Sequence, residues 1–526
     1  VLYEIGYYSR MASGVWRCAK APPATDARAV VRHNLERREQ HFLDLARRVV
    51  FANPANPYHA MFRIAGCTFE DLSAQVRLQG LEGTLEALSR AGVYVTHEEF
   101  KGHKPMVRSG EHIPLRADSF ANPLVKPVFE TASSGSRGPR VRTRASVESR
   151  LYREVQDLLV RQEFALVGRP EVIVAPLLPS YWGLMHCLRA GRERHPVERW
   201  FTYGGRLRDT LHYRLATHAM VRVGRAAGAP MPAPEPLPPD DFTPVAEYVA
   251  RRRSDGEPCV MRGMVSAAVR VAMRAKELGL DIRGTFFRAG GEAFTDSKRA
   301  IVDSVGAEST ASYFISELGA VGVGCCKMRR GNSVHHFADA TAVIRRKIAA
   351  PLAGTEVNAL LFTTLLPFSP RVLINADLGD CGIVEPADCD CTFSQLGFTT
   401  CVRDIWSYAK LTGQGMTLVG TDLVEVLEHA LPARFGGGPG DYQLIEREGQ
   451  GQTEILLRIS PRVGVRSADE VREYLLGRLR KFYGGALASR DWRHTRAVRV
   501  EIAEPAVGAT GKVLPLHLLG GGQSAS

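Results

Sequence analysis

Residues 259–293 read CVMRGMVSAAVRVAMRAKELGLDIRGTFFRAGGEA, and their pattern sets the fold class. Cys259 to Met264 is a short apolar run. A helix is predicted from Ala267 to Leu278, a second strand-like run begins at Arg283-Gly-Thr-Phe-Phe, and a Gly-Gly turn then leads into a helix near Thr295. Val172-Ile-Val-Ala-Pro begins the same alternation upstream. Short apolar runs alternating with helices predict α/β layers with buried strands.

The pattern differs on either side. The first hundred residues predict helical pieces at Val30 to Phe51 and Glu70 to Arg90, broken at Asn53 to Pro57, which form a helical cap over 1–100. Ala229 to Asp241 carries six prolines and predicts an extended surface excursion, because proline lacks the donor that a helix or sheet interior needs. Near the carboxyl end we expect a helix from Thr421 to Ala430 and extended runs at Tyr442 to Glu448 and Glu454 to Ile459. A helix entered through a Ser467/Glu470 capping box and a closing strand, Ala497 to Ile502, follow. The expected architecture is a large α/β N-terminal domain over 1–402, mixed sheets layered with helices, and a smaller α+β C-terminal domain over 403–526.

Composition narrows the function. With 45% hydrophobic and 24% charged residues the chain is neither disordered nor collagenous. A formal charge of +12 suits anionic ligands such as nucleotides without requiring nucleic acid. No apolar run reaches the roughly 18 residues of a membrane span, and the amino end lacks a secretory series, so the expectation is a cytoplasmic protein. Ten cysteines are too few for a disulfide scaffold, yet six of them fall between Cys325 and Cys401, which points to a local metal site.

Three segments could carry chemistry. Thr131-Ala-Ser-Ser134-Gly135-Ser136-Arg137-Gly138-Pro139-Arg140 is a hydroxyl- and glycine-rich loop able to donate hydrogen bonds to phosphate oxygens, without the Walker spacing. Ala289-Gly290-Gly291-Glu292-Ala293 sits at a strand end, where a flat ring can lie against the backbone. Ser312-Tyr313-Phe314-Ile315-Ser316-Glu317 offers an aromatic for stacking and a carboxylate for Mg²⁺. Pro179 to Met185 combines aromatic and flexible apolar side chains and is the candidate wall of an acyl pocket.

In this order, with a Gly-Asp pair and a late Gly-Lys, these segments resemble the AMP-forming adenylating superfamily over roughly residues 100 to 515, most closely its phenylacetate-CoA ligase-like branch, with some likeness to acyl-protein synthetases of bacterial luminescence systems. The resemblance implies a C-terminal domain that moves as a lid. It implies that Ser134, Gly135, Ser136 and Gly138 cradle the ATP phosphates, that Gly291 and Glu292 border the adenine, and that Tyr313 stacks on it. Ser316 belongs to the same Tyr-x-x-Ser-Glu segment, Glu317 would bind Mg²⁺, and Lys512 would be the catalytic lysine. Asp380, nine residues before Cys389, takes the place of the ribose-binding aspartate, with Asp377 as its competitor. Two departures stand out. Arg137-Gly-Pro-Arg140 replaces the usual Thr-Gly-x-Pro-Lys, and Arg403-Asp404 is the nearest substitute for the family's hinge motif.

For the metal, Cys325 or Cys326, His335, Cys389 and Cys391 offer thiolates and imidazole suited to a closed zinc site, and some members of that branch carry such a site here. The implied activity is acyl-adenylate formation from ATP and a carboxylic acid, aryl or fatty, followed by transfer to coenzyme A. A carrier-protein or enzyme thiol is the runner-up acceptor, and a homodimer is compatible with such a chain. Two readings compete: a basic zinc-containing nucleic-acid-binding protein, which leaves the ordered Gly-rich segments without a role, and a homologue that binds nucleotide without turnover.

Overall fold

The computed structural model describes residues 2–24, 26–116, 118–132, 142–178, 180–193, 195–202, 207–238, 241–328, 330, 332–349, 356–408, 410–413, 416–419, 423, 425–449, 452–465, 467–480, 489, 492–493, 497–505 and 516–517. Helices run through the first hundred residues and include Leu2–Lys20, which lies outside the two helical stretches predicted within the 1–100 cap. Phe69–Arg90 starts at a Thr68/Asp71 capping box and breaks at Gly80. These helices share one core with the main sheet: Phe42, Tyr58, Leu72 and Leu85 cluster with Val174, Phe287 and Phe362.

Two hairpins, β1 (Met106–Arg108) with β2 (Glu111–Ile113) and β3 (Phe129–Ala132) with β4 (Arg142–Ala145), precede a twelve-stranded sheet. Half of that sheet is parallel: β5 (Glu171–Val174), β6 (Val197–Thr202), β7 (Pro234–Pro236), β8 (Val260–Met264), β9 (Phe286–Gly290) and β10 (Glu308–Ile315). The other half is antiparallel: β11 (Gly319–Val323), β12 (Ser333–His336), β13 (Thr341–Ala349), β14 (Glu356–Thr364), β15 (Ala376–Pro386) and β16 (Thr400–Ser407). The order across the sheet is β13-β14-β15-β16-β12-β11-β10-β9-β8-β5-β6-β7. Every residue of β5 is buried, as a parallel strand covered on both faces must be. From β5 the chain first builds outward to β7, then returns to place β8 on the other side. Strand order therefore reverses between β5 and β8, and ligands of open α/β sheets bind beyond the carboxyl ends of strands at such a reversal.

The proline-rich stretch is extended, as expected, but it is not a free excursion. Pro234 to Pro236 pair with Trp200 to Thr202 as the sheet's edge strand, where a missing amide donor costs nothing on the open side. The 402/403 boundary also differs from expectation: β16 runs through it to Ser407, held by β12 on one side and β15 on the other.

Beyond β16 lies the hairpin β17 (Lys410–Gly413) with β18 (Met416–Val419), and then a four-stranded sheet made of β19 (Tyr442–Gly449), β20 (Gln452–Ile459), β21 (Val498–Ile502) and β22 (Leu516–His517). The helix Ala468–Leu479 begins where Ser467 accepts a hydrogen bond from the Glu470 amide. It buries Val471, Leu475 and Leu479 against Leu444, Ile455 and Leu457, each side chain contributing about 1.5–3 kcal/mol. This unit has its own core, the α+β organisation expected of it. Among the described residues no helix is long and apolar enough to cross a membrane.

Candidate functional site

The carboxyl ends of β9 and β10 are adjacent, because Gly290 pairs with Ser312 in parallel register. A Cβ at residue 290 would lie 2.8 Å from the Ser312 carbonyl oxygen, and Gly291 adopts φ +78°, so the paired glycines are required by the close strand approach and the turn. Glu292 turns away: its Oε2 accepts from the Ser266 amide at 2.6 Å, a carboxylate at the start of the helix Val265–Glu277.

One residue past Gly290's partner, the Tyr313 hydroxyl donates to Asp380 Oδ2 of β15 at 2.8 Å. The Tyr313 ring packs on Phe362, and burial followed by the Asp380 charge pushes its hydroxyl well above the usual range. Asp377 is already engaged: it is buried, takes the Gly379 amide at 2.9 Å and accepts from the Tyr408 hydroxyl. Burial raises its carboxyl. Asp380 is half-buried and has Tyr313 as its described side-chain partner, so of the two competing aspartates it is the one with acceptor capacity facing the strand-end cluster.

Glu317 lies in the turn between β10 and β11 and is buried, its Oε1 3.0 Å from Lys101 Nζ. Lys101 follows the short helix His97–Phe100, where Glu98 is held well below the usual carboxylate range by hydrogen bonds from His103 and His97. Sequence reading missed Lys101, because 216 residues separate the pair and no local pattern links them. Ser316 is exposed beside Glu317. Arg403 sits elsewhere: its guanidinium pairs with Glu385 (2.6 Å) and with Asp404. Asp380 registers with Ser407, so Arg403 is roughly 13 Å along the strand from it. Tyr181 packs on Phe129 in the core, and Trp182 is partly exposed over His186. Ser134, Gly135, Ser136, Gly138 and Lys512 lie outside the described residues.

The four metal candidates do converge. Ligand atoms of Cys325, His335, Cys389 and Cys391 all lie within 4.8 Å of one another. His335 Nε2 is 3.2 Å from the sulfurs of Cys389 and Cys391, which are 3.5 Å apart, and Cys325 Sγ is 3.8 Å from Cys389 Sγ. Zinc–sulfur bonds of about 2.3 Å in a tetrahedron require sulfur–sulfur edges of about 3.8 Å, so the donors fit a closed site. His335 Nδ1 is fixed on the Phe398 carbonyl oxygen at 2.8 Å, which leaves Nε2 directed at the thiols. Of the two adjacent cysteines, Cys325 is buried in the cluster. Cys326 is exposed, its amide bonded to Glu163.

No family model and no curated protein matches this sequence. Among solved structures, 2-hydroxyisobutyryl-CoA ligase in complex with 2-HIB-AMP and CoA aligns at a TM-score of 0.49 and 15% identity, over 95% of this chain and 91% of that one. Malonyl-CoA ligase with methylmalonyl-CoA and AMP bound aligns at 0.41 and 14%, over 84% and 95%. o-Succinylbenzoate CoA synthetase from Bacillus subtilis aligns at 0.41 and 10%, over 74% and 68%.

Proposed function

We propose that this chain activates a carboxylic acid with ATP, forming an acyl adenylate and pyrophosphate, and passes the acyl group to coenzyme A, as an AMP-forming ligase of the phenylacetate-CoA ligase-like kind. The observation that carries this reading is the meeting of Gly290-Gly291, the Tyr313–Asp380 pair and Glu317 at neighbouring strand ends, in the order the superfamily's motifs require. Tyr313, its hydroxyl anchored on Asp380, presents a ring of fixed plane for the adenine. Asp380 keeps lone pairs for a ribose hydroxyl. Glu317 would hold Mg²⁺, which would neutralise phosphate charge, and Lys101 orients that carboxylate. Lys512 and the donors of the loop 133–141 are assigned to the phosphates by resemblance, so that the chemistry is positioning and charge stabilisation without a protein nucleophile.

We further infer that Cys325, His335, Cys389 and Cys391 hold a structural zinc, which ties β11, β12 and the segment after β15 together. The test is carboxylate-dependent ATP/pyrophosphate exchange across aryl and fatty acids, followed by assay of the CoA thioester. Exchange with one acid supports adenylation; thioester formed only on a protein thiol would reassign the acceptor. Nucleic-acid-dependent activity without exchange would overturn the reading.

A further inference from the structure

A group of charges lies between the helices Val147–Glu163 and Trp182–Arg192 and strands β5, β8 and β9; Asp157, Arg161, Glu171, His186 and Arg262 are buried, and Arg153, Arg189, Glu193 and Arg288 are half-buried. Asp157 is met by Arg161 (3.0 Å), Arg262 (2.7 Å), Arg189 (3.6 Å) and Arg288. Glu171 is met by His186 (2.5 Å), Arg161 and Arg262, and Glu193 lies 3.7 Å from Arg161. Arg153, one turn before Asp157, bonds Gln156 at 3.0 Å and stacks on Phe314 at 5.2 Å; among the described residues it has no carboxylate in ion-pair range.

The charges do not balance. Among the described residues five guanidinium groups, of Arg153, Arg161, Arg189, Arg262 and Arg288, face three carboxylates. His186 is neutral, because burial pushes it down to about 3. Burial and the neighbouring arginines also press Arg153 well below its usual range and Arg288 to about 9, yet a guanidinium keeps its proton at neutral pH. An uncompensated charge partly withdrawn from water costs free energy that a bound anion would recover, so a site with two surplus cations suits an anion.

The surplus lies at one end. Arg262 and Arg288 share a rung, and two rungs on toward the carboxyl ends lie Met264, Gly290 and Ser312, on the same face. Arg288 is thus roughly 7 Å along the strand from Gly290. Among the described residues Ser312 Oγ and Arg189 Nε are buried with no hydrogen-bond partner, and the helix that carries Arg153 follows directly on β4.

We propose that Arg153, Arg189 and Arg288, with Ser312, bind a second anionic group of the acid being activated, so that the substrate is a dicarboxylic acid. This rests on the adenylation reading. The test compares exchange with matched acids, hexanoate against adipate and phenylacetate against 4-carboxyphenylacetate, in the native chain and in R288Q and R153Q. The dicarboxylic partner should be preferred by at least about thirtyfold in kcat/KM, and each variant should cut that preference at least about tenfold by raising the KM for the diacid. R153Q has no carboxylate partner to orphan and should melt no lower than the native chain. Equal use of mono- and diacids, or a preference that both variants leave intact, would overturn the proposal, as would a rise in the KM for ATP in place of the acid. If no acid supports exchange, adenylation itself fails. The anion site is then judged by adipate's effect on melting: a rise in the native chain that R153Q abolishes supports it, and no rise overturns it.

Discussion

The Tyr313 hydroxyl and the Asp380 carboxylate meet at 2.8 Å across 67 residues of sequence, joining β10, the last strand of the parallel half of the sheet, to β15 on its antiparallel side. This contact fixes the ring and leaves the carboxylate partly open. Asp380→Asn should raise the KM for ATP at least about tenfold, the loss of about 1.4 kcal/mol of binding, while Asp377→Asn should act chiefly on stability through its lost contact with Tyr408. Measuring the KM for ATP and the melting temperature of both variants decides the assignment; the reverse pattern would hand the ribose to Asp377.

The metal centre predicts composition as well as stability. Protein purified without chelator should carry about one zinc per chain, and Cys391→Ser should lose it and melt at least about 5 °C lower. Cys326→Ser, whose thiol is exposed outside the tetrahedron, should keep the metal. Metal-free native protein on elemental analysis would end the zinc reading.

Acid sensitivity follows from His186. Burial lowers its folded pKa to about 3 from 6.5, so the unfolded chain takes up the proton first and stability falls as pH drops below 6.5. The decline is about 1.4 kcal/mol per pH unit for this group and continues toward pH 3. Above about pH 5.5 the depressed carboxylates Asp157 and Glu171 are ionised in both states and add nothing; below that the unfolded carboxylates begin to take up protons and steepen the decline. His336, which burial also lowers to about 3, adds a second proton to the unfolded chain, whereas Glu193 and Asp339, which burial raises to about 7 and about 6, bind protons in the folded state at mildly acid pH and offset it. His186→Gln should therefore shift the pH slope of the urea-unfolding free energy toward acid resistance by up to about 1.4 kcal/mol per pH unit. An unchanged slope would place another group behind the acid sensitivity.

How much could be read from sequence depended on whether the signal was local. The strands at Val172, Val260 and Phe286 were legible because each is a short apolar run beside a helical period. The Cys325, His335, Cys389 and Cys391 cluster was legible because few residue types suit a zinc site. Which of Cys325 and Cys326 turns inward was not, since it depends on how the chain leaves β11. The edge strand at Pro234 needed its partner Trp200, and the course of β16 past residue 402 needed β12 and β15, none of which a linear pattern displays. Arg262 and Arg288 belong to separate strands, and only register places them side by side over Asp157.

Lys512 is the sole lysine of the last thirty residues and sits in Thr510-Gly511-Lys512. If the carboxyl-terminal unit delivers it to the α-phosphate for adenylation alone, Lys512→Ala should abolish most ATP/pyrophosphate exchange yet still convert a synthetic acyl adenylate to thioester. Its melting temperature should stay near native, because a lone lysine in a Gly-flanked segment contributes little to stability. Equal loss in both half-reactions would rule out the mobile-lysine role.

The Lys101–Glu317 pair separates a catalytic role from a structural one. Both side chains are buried, so Glu317→Gln leaves the Lys101 ammonium facing a neutral amide and should destabilise the fold by up to about 3 kcal/mol. Its catalytic effect should be a loss of at least about tenfold in adenylate formation with a raised Mg²⁺ requirement, or about 1.4 kcal/mol or more of transition-state stabilisation. Because both losses occur together, the single variant cannot tell a metal ligand from a buried partner of a lysine. Removing the stranded cation as well can. In the double variant Lys101→Met with Glu317→Gln no buried charge is left uncompensated at this position, so stability should return toward native, the non-additivity expected of contacting residues. If Glu317 holds Mg²⁺, the restored fold still lacks the carboxylate, and adenylation should remain at least about tenfold down at limiting Mg²⁺. Recovery of adenylation together with stability would reduce Glu317 to a structural ion pair and move the metal to another acid.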